Sequence, residues 1–68
     1  AGSAAAIRHR VQKLIAAESP EDPLSDDTIA RIIGQEDGIQ LARRTVAKYR
    51  DQLRIPSSVD RRRRALVA

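Results

Sequence analysis

Residues 24–53, LSDDTIARIIGQEDGIQLARRTVAKYRDQL, decide the fold, because two amphipathic helical patterns meet here at a turn that contains glycine. Ser25 is suited to cap the first helix by accepting a hydrogen bond from a first-turn amide, and the two aspartates after it complement the helix dipole. The first helix of the pair is therefore predicted from about Asp26 to Glu36. Gly38 is its natural left-handed stop.

The second helix of the pair is predicted from Ala42 to Leu53 by apolar residues at intervals of four, three and four. This stripe consists of Ala42, Val46, Tyr49 and Leu53. The opposite face of the helix is mostly basic. A short helix, a turn and a basic-faced helix are the layout of a helix-turn-helix, which places one helix in the major groove of DNA.

An earlier helix is predicted from Ala4 to Glu18, where apolar residues fall on one helical stripe. These residues are Ile7, Val11, Leu14 and Ile15. Pro20 and Pro23 then end the helical ladder. The fold class that follows is all-α, a small three-helix domain with a helix-turn-helix.

The two ends of the chain differ from its helical centre. Residues 1–3 resemble a cloning remnant, residues 4–55 form the predicted helix-turn-helix DNA-binding domain, and residues 56–68 are predicted to be a basic flexible tail. The four consecutive arginines at 61–64 show no apolar periodicity that would bury them. We therefore expect a disordered basic C-terminal tail until a partner binds it.

The composition of the 68 residues argues against an enzyme. The chain has no cysteine, no methionine and one histidine, which leaves no disulfide, thiolate metal site or cysteine nucleophile. With one tyrosine as its only aromatic residue, it also lacks a platform on which bases could stack. We expect no catalytic residue, no cofactor and no metal. No apolar run approaches the length of a bilayer span, and no basic segment followed by an apolar one resembles a signal peptide, so the expected location is the cytoplasm.

Charge is distributed unevenly along the chain. Residues 43–64 contain nine basic and two acidic side chains, a net +7, whereas residues 1–42 carry a net −3. A strongly positive segment beside a nearly neutral remainder of the chain is typical of a protein that binds a polyanion. The charge distribution therefore favours a nucleic-acid partner over a merely solvated basic surface.

Residues 42–51, ARRTVAKYRD, resemble the RpoN box, the signature ARRTVAKYRE of the sigma-54 family of bacterial RNA polymerase sigma factors. Nine of the ten positions match, and Asp51 keeps the charge of the glutamate that the signature has there. The similarity covers most of residues 7–58 and includes three further segments, residues 23–26, 38–39 and 55–58.

The resemblance implies sequence-specific binding of promoter DNA in transcription initiation, with the RpoN-box helix recognising the upstream element around minus 24 and its GG. The partner of this chain is then double-stranded promoter DNA. Core RNA polymerase and the ATP-hydrolysing activator would bind other regions of the full-length protein. The expected location is the bacterial cytoplasm, in association with the nucleoid. We expect a monomer, because the apolar stripes are all needed for one core.

The base-reading candidates lie in the first half of the predicted recognition helix, where helix-turn-helix proteins contact base edges. They are Arg43, Arg44, Ala47 and Lys48. Arg44 lies about 200° from Ala42 around the helix and points most directly away from the core, and an arginine fork matches O6 and N7 of guanine. Lys48 is placed to reach the next base or a phosphate. Ala47 either touches a thymine methyl or simply favours the helix.

The candidates for phosphate contact surround this face and continue into the tail. They are Thr45, Tyr49, Arg50, Arg54, Arg61, Arg62, Arg63 and Arg64. Thr45 is also suited to backbone bonding within the protein, and Tyr49 faces the core with its hydroxyl near the rim. Arg50 and Arg54 flank the buried stripe and suit either phosphates or intramolecular pairs. The arginines of the tail suit backbone or minor-groove contact, or serve only solubility.

Two other function classes remain compatible with the sequence. A stand-alone helix-turn-helix transcriptional regulator would share the groove geometry but would usually need a dimer interface to reach two half-sites. A basic RNA-binding structural protein would use the same charge without a base-reading helix. Equal affinity for duplex RNA and duplex DNA would favour that last class.

Overall fold

The computed structural model describes residues 3–67, in which four α-helices follow one another. They are α1 (Ala4–Ala16), α2 (Asp26–Glu36), α3 (Arg43–Gln52) and α4 (Ser58–Val67). Close packing between these helices pairs α2 with α3, α1 with α3 and α1 with α2. The all-α prediction is confirmed, with a fourth helix in addition to the three that the sequence predicts.

α1 begins at a serine cap and ends close to its predicted boundary. The Ser3 hydroxyl accepts a hydrogen bond from the Ala6 amide at 3.1 Å, so this residue of the predicted cloning remnant stabilises the helix. The other two residues of that segment lie outside the described residues. The helix ends at Ala16 rather than at Glu18, whose carboxylate instead accepts a hydrogen bond from the Leu24 amide at 2.8 Å.

α2 has the limits and the caps that its sequence predicts. The Ser25 hydroxyl accepts a hydrogen bond from a first-turn amide at 3.1 Å, and Gly38 follows the helix with a φ of 70°. α1 holds the end of this helix through Arg10, which pairs with Glu36 and, at 3.0 Å, with Asp37. A cation at this position offsets the negative end of the helix dipole.

The core lies between α1, α2 and α3, and it is aliphatic. Its buried residues come from all three helices: Ile7, Val11, Ile29, Ala30, Ile33 and Val46. Half-buried side chains close the core at its edges, among them Tyr49 and Leu53. Ala42 was expected in the buried stripe of α3, but it is exposed because it precedes the helix as its N-cap residue.

The end of α3 is closed by a turn that places a residue other than glycine in the left-handed region. Arg54 has a φ of 59°. The Ile55 amide donates to the Arg50 carbonyl at 3.1 Å, and the Arg54 amide donates to the Asp51 carbonyl at 3.0 Å. These two bonds form a Schellman motif, in which glycine is the usual residue because it has no Cβ.

The prediction of a disordered tail is wrong for residues 58–67, which form α4. The helix starts after Ser57, whose hydroxyl accepts a hydrogen bond from a first-turn amide at 3.2 Å. Arg61 anchors the helix by donating at 2.7 Å to Glu18, in the connection between α1 and α2. A run of arginines has no apolar periodicity, so the pattern does not reveal a helix that depends on this tertiary contact. Ala68, the last residue of the predicted tail, lies outside the described residues.

Gly34→Ala is expected to stabilise the domain by about 0.5 to 1 kcal/mol, because Gly34 lies inside α2 and alanine has the higher helix propensity. A Cβ there would lie 3.7 Å from the Ile39 carbonyl oxygen, which is ordinary contact. Urea unfolding followed by circular dichroism measures the change. Gly38→Ala is the matched control and should destabilise, because its φ of 70° disfavours a side chain. A less stable Gly34 variant would contradict the prediction.

Candidate nucleic-acid interface

The base-reading candidates lie together on the outward face of α3. Arg43, Arg44 and Lys48 are exposed, and Ala47 is half-buried. Val46 is fully buried on the same helix and fixes the rotation of α3 on the core. Packing therefore presents the basic face to solvent, as the apolar periodicity predicts.

Three cations on this face are available to a ligand. Arg43, Arg44 and Lys48 form no ion pair with any other residue in the range 3–67. The Lys48 ammonium lies 5.9 Å from the centroid of the Tyr49 ring, within the range of a cation–π contact. That contact leaves the ammonium donors free for hydrogen bonds. The face thus offers three positive charges that no neighbouring acid neutralises.

The start of α3 adds to this positive potential. Its N-cap residue, Ala42, makes no side-chain hydrogen bond to the helix, and the first turn contains no acidic residue. Arg43 and Arg44 therefore lie beside the positive end of the helix dipole, where cations are unfavourable for the helix itself. The stability of α3 comes instead from its packing against α1 and α2.

Arg50 was a candidate for a phosphate contact or an intramolecular pair, and the structure shows it in an intramolecular pair. It is 8% exposed, and its guanidinium donates to Asp26 through Nε at 2.9 Å and Nη2 at 3.1 Å. Its Nη1 donates to the Ile55 carbonyl at 3.0 Å. Hydrogen bonding to Asp26, opposed by burial, raises the pKa of Arg50 above its ordinary value. Arg50 therefore ties the start of α2 to the end of α3.

The sequence does not reveal the partner of Arg50, because Asp26 is predicted only to complement the dipole of α2. The carboxylate does lie in the first turn of α2, where the dipole also acts on it. The signal that points to the pair is Arg50 itself, an arginine beside the apolar stripe of α3. A guanidinium in that position needs a carboxylate partner if it is to be buried.

The other phosphate candidates are divided between exposed and half-buried positions. The exposed ones are Arg54, Arg62, Arg63 and Arg64. Thr45 and Tyr49 are half-buried, and Tyr49 packs against the core. The Arg61 side chain is 11% exposed and forms an ion pair with Glu18. The structure thus holds Arg50 and Arg61 inside the fold and leaves the remaining arginines at the surface.

The described residues contain neither a metal cluster nor a membrane span. Within residues 3–67, no three histidine, cysteine or acidic side chains are grouped so that they could hold a metal ion. No helix in that range combines the length and the apolar character needed to cross a bilayer.

Comparison with known proteins gives consistent matches along most of the chain. The family described as "Sigma-54, DNA binding domain" matches residues 1–63. The RNA polymerase sigma-54 factor of Azorhizobium caulinodans is 59% identical over 63 residues, which are 93% of this chain and 12% of that protein. The sigma-54 factor of Acinetobacter guillouiae is 58% identical over 60 residues, 88% of this chain and 12% of that protein. The sigma-54 factor of Azotobacter vinelandii is 57% identical over 61 residues, 90% of this chain and 12% of that protein.

The matched segment is a small part of these relatives, since the chain spans 12% of their length. Within this chain, the family match includes α1, α2, α3 and the first part of α4. The resemblance carried by residues 42–51 is thereby confirmed. Because both the family match and the relatives cover most of its residues, this chain belongs to the sigma-54 DNA-binding domain family.

Proposed function

We propose that this chain binds promoter DNA by placing α3 in the major groove, with α2 and α3 acting as a helix-turn-helix. The observation that carries the proposal is the exposed face of α3, where Arg43, Arg44 and Lys48 have no ion-pair partner among residues 3–67. In the same half of the chain, Arg50 and Arg61 are paired with acids. Cations left unpaired on one helix face are suited to a polyanion. Relatives named RNA polymerase sigma-54 factors support a role in transcription.

Within promoter DNA, we propose that the target is the upstream element around minus 24 with its GG. An arginine donates two parallel hydrogen bonds to O6 and N7 of one guanine. Arg44 is the first choice for this contact because it is exposed, lies in the first turn of α3 and points away from the core. Arg43 is its neighbour in the same turn. Lys48 reaches the next base or a phosphate, and Ala47 is small enough to let a thymine methyl approach.

Phosphate contacts would position α3 without reading the sequence. The proposed contacts are the Thr45 hydroxyl, the Tyr49 hydroxyl at the rim of the core, and the exposed side chains of Arg54, Arg62, Arg63 and Arg64. We leave Arg50 and Arg61 out of this set, because their guanidiniums already donate to Asp26 and Glu18. If either arginine left its pair to bind a phosphate, the carboxylate of Asp26 or Glu18 would lose the positive charge that compensates it.

The longer relatives suggest how this chain works within a whole factor. It spans 12% of their length. We propose that core RNA polymerase and the ATP-hydrolysing activator bind other regions of the full-length protein, so that this segment binds DNA without starting transcription. It binds as a monomer, because the apolar faces of α1, α2 and α3 are used in one core. The proposed location is the bacterial cytoplasm, at the nucleoid.

Fluorescence anisotropy with two labelled duplexes tests the proposed function. One duplex carries the upstream element with its GG, and in the second both guanine pairs are replaced. We expect binding to the second to be at least about tenfold weaker, because each lost base contact costs roughly 1 to 3 kcal/mol. Lys13→Ala removes one exposed charge from α1 and should preserve the ratio of the two affinities. Equal affinity for the two duplexes, or for duplex RNA and DNA, would contradict the proposal.

A further inference from the structure

Arg61 is the residue through which α4 joins the rest of the domain. Its Nε donates to Glu18 Oε2 at 2.7 Å, and its Nη2 donates to Glu18 Oε1 at 3.0 Å and to the Leu24 carbonyl at 2.6 Å. Its Nη1 donates to the Pro56 carbonyl at 2.7 Å. The Arg61 and Glu18 side chains are 11% and 8% exposed. A bidentate, largely buried pair of this kind holds both partners in one geometry.

Other contacts hold α4 only weakly. Close packing joins α1, α2 and α3 to one another, whereas α4 makes only a weak contact with the other helices described. The large apolar side chains of α4 are exposed, Val59 by 64%, Leu66 by 75% and Val67 by 79%. Within residues 3–67, the side-chain hydrogen bonds between α4 and the α1–α2 connection all come from Arg61. The position of α4 therefore depends chiefly on the contacts of Arg61 with Glu18 and with the Leu24 and Pro56 carbonyls.

The segment between α3 and α4 is held at two adjacent carbonyl groups. Arg50 donates to the Ile55 carbonyl at 3.0 Å, and Arg61 donates to the Pro56 carbonyl at 2.7 Å. Each of these arginines is itself bound to a carboxylate elsewhere in the fold. Residues 53–57 are thereby fixed between two anchored side chains, so α4 keeps a defined orientation relative to α3.

The arginines that follow the anchor are exposed. Arg62, Arg63 and Arg64 lie roughly 100°, 200° and 300° from Arg61 around the helix, so Arg63 lies opposite the docked face and Arg62 and Arg64 lie on its two flanks. Arg63 Nη1 lies 3.6 Å from Asp60 Oδ1, and an exposed ion pair of this kind is weak. Docking therefore turns a run of arginines into a positively charged surface of fixed orientation.

We propose that the Glu18–Arg61 pair is a latch that holds α4 as a second phosphate-binding surface, formed by Arg62, Arg63 and Arg64. This proposal rests on the proposed function, because it assumes that α3 is bound to DNA. The ligand is the sugar-phosphate backbone, since neighbouring guanidiniums match phosphate oxygens in charge and geometry. Because a docked α4 is already ordered before it binds, it loses less conformational entropy on binding than a flexible tail and therefore binds more tightly. Glu18 and Arg61 are thus positioning residues.

Glu18→Gln tests the latch in the free protein. Glutamine keeps an acceptor for the Leu24 amide but removes the charge that pairs with Arg61. Heteronuclear NOEs of the backbone amides should fall across residues 58–67 and stay unchanged in α1, α2 and α3. Glu21→Gln changes an exposed carboxylate in the same connection and should leave α4 ordered. Unchanged NOEs in α4 of the Glu18 variant would overturn the latch.

DNA binding supplies the second readout. Glu18→Gln should weaken binding to the GG duplex and to the substituted duplex by the same factor, about threefold to tenfold, because α4 must then be ordered on binding and phosphate contacts carry no sequence information. A triple variant with Arg62→Gln, Arg63→Gln and Arg64→Gln should show at least as large a loss. Adding Glu18→Gln to the triple variant should weaken binding no further.

Two results of the binding experiment would overturn the phosphate role of α4. The first is an additive loss when Glu18→Gln is combined with the triple variant, and the second is full affinity in the Glu18 variant despite lowered NOEs in α4. Failure of the unaltered chain to bind either duplex would overturn the proposed function as well. In that case the NOEs alone would still distinguish a latched α4 from an unlatched one.

Discussion

Arg50→Met is expected to lower the free energy of unfolding by about 3 kcal/mol. Methionine keeps much of the aliphatic length, but it leaves the Asp26 carboxylate and the Ile55 carbonyl without their donor. The Asp26 side chain is 19% exposed, so the loss should fall at the lower end of the range for broken buried pairs. A domain of this size has a total stability of roughly 3 to 10 kcal/mol. The expected loss is therefore a large part of the total stability.

Urea unfolding followed by circular dichroism measures this effect. Arg63→Met is the matched control, since the Arg63 and Asp60 side chains are 73% and 51% exposed. Breaking that surface pair should change the stability by no more than about 0.5 kcal/mol. Asp26→Asn combined with Arg50→Met should cost less than the sum of the two single changes, because both remove the same interaction. If the Arg50 and Arg63 variants were equally stable, the buried pair would not be holding α2 to α3.

The contribution of the Asp26–Arg50 pair to the free energy of unfolding also depends on pH. Hydrogen bonding to Asp26 raises the pKa of Arg50 in the folded state. A group whose pKa is raised on folding contributes its full stabilisation below the unfolded pKa and loses it as the pH rises through the folded pKa. The charge on Arg50 should therefore support the fold throughout the neutral and moderately alkaline range.

Arg44→Ala is expected to weaken binding to the GG duplex by about 1 to 3 kcal/mol, with a smaller effect on the duplex that lacks the guanines. The Arg44 side chain is exposed, so its removal should leave the fold intact. Arg44→Lys should restore part of the affinity but not the preference for GG. An ammonium group attracts the same anions but cannot form the two parallel hydrogen bonds of a guanidinium.

Anisotropy titrations of both duplexes measure the affinity and the preference together. Circular dichroism of each variant establishes that the helices are retained, and Lys13→Ala controls for the loss of one surface charge. An equal loss on the two duplexes would make Arg44 a phosphate contact. The base-reading role would then pass to Arg43 or Lys48.

The limits of α2 could be predicted because its signals act within a few residues. Ser25 caps the first turn, the aspartates next to it complement the dipole, and Gly38 takes the left-handed conformation after the last turn. Each of these interactions depends on neighbours in the chain and so is present in the sequence itself. The apolar stripe of α1 is just as local, and its Ile7 and Val11 are buried.

α4 could not be predicted from periodicity, because its anchor is polar and its partner is distant. Arg61 and Glu18 are 43 residues apart, and no local rule connects them. A local signal for the helix start does exist in Ser57 and Asp60, which have the spacing of a serine cap followed by an acid in the first turn. That signal indicates where a helix begins, but not that it docks.

The candidate interface was predictable in outline, because the burial of Val46 fixes which side of α3 faces solvent. Periodicity does not distinguish an arginine that is available from one that is neutralised within the fold. Arg50 lies 24 residues from Asp26, and only the packing of α2 on α3 brings the two together. Arg50 and Arg61 thus hold the structure together, while Arg43, Arg44 and Lys48 form no ion pair among residues 3–67.

Tyr49 gives the molecule an optical reporter. The chain has one tyrosine and neither tryptophan nor phenylalanine, so its intrinsic fluorescence comes from a single ring. That ring is half-buried on α3, with the Lys48 ammonium 5.9 Å from its centroid. A nearby cation is coupled to the π electrons of the ring, so movement of Lys48 toward a phosphate would alter the emission. The intrinsic fluorescence of Tyr49 should therefore report DNA binding by α3 without an added dye.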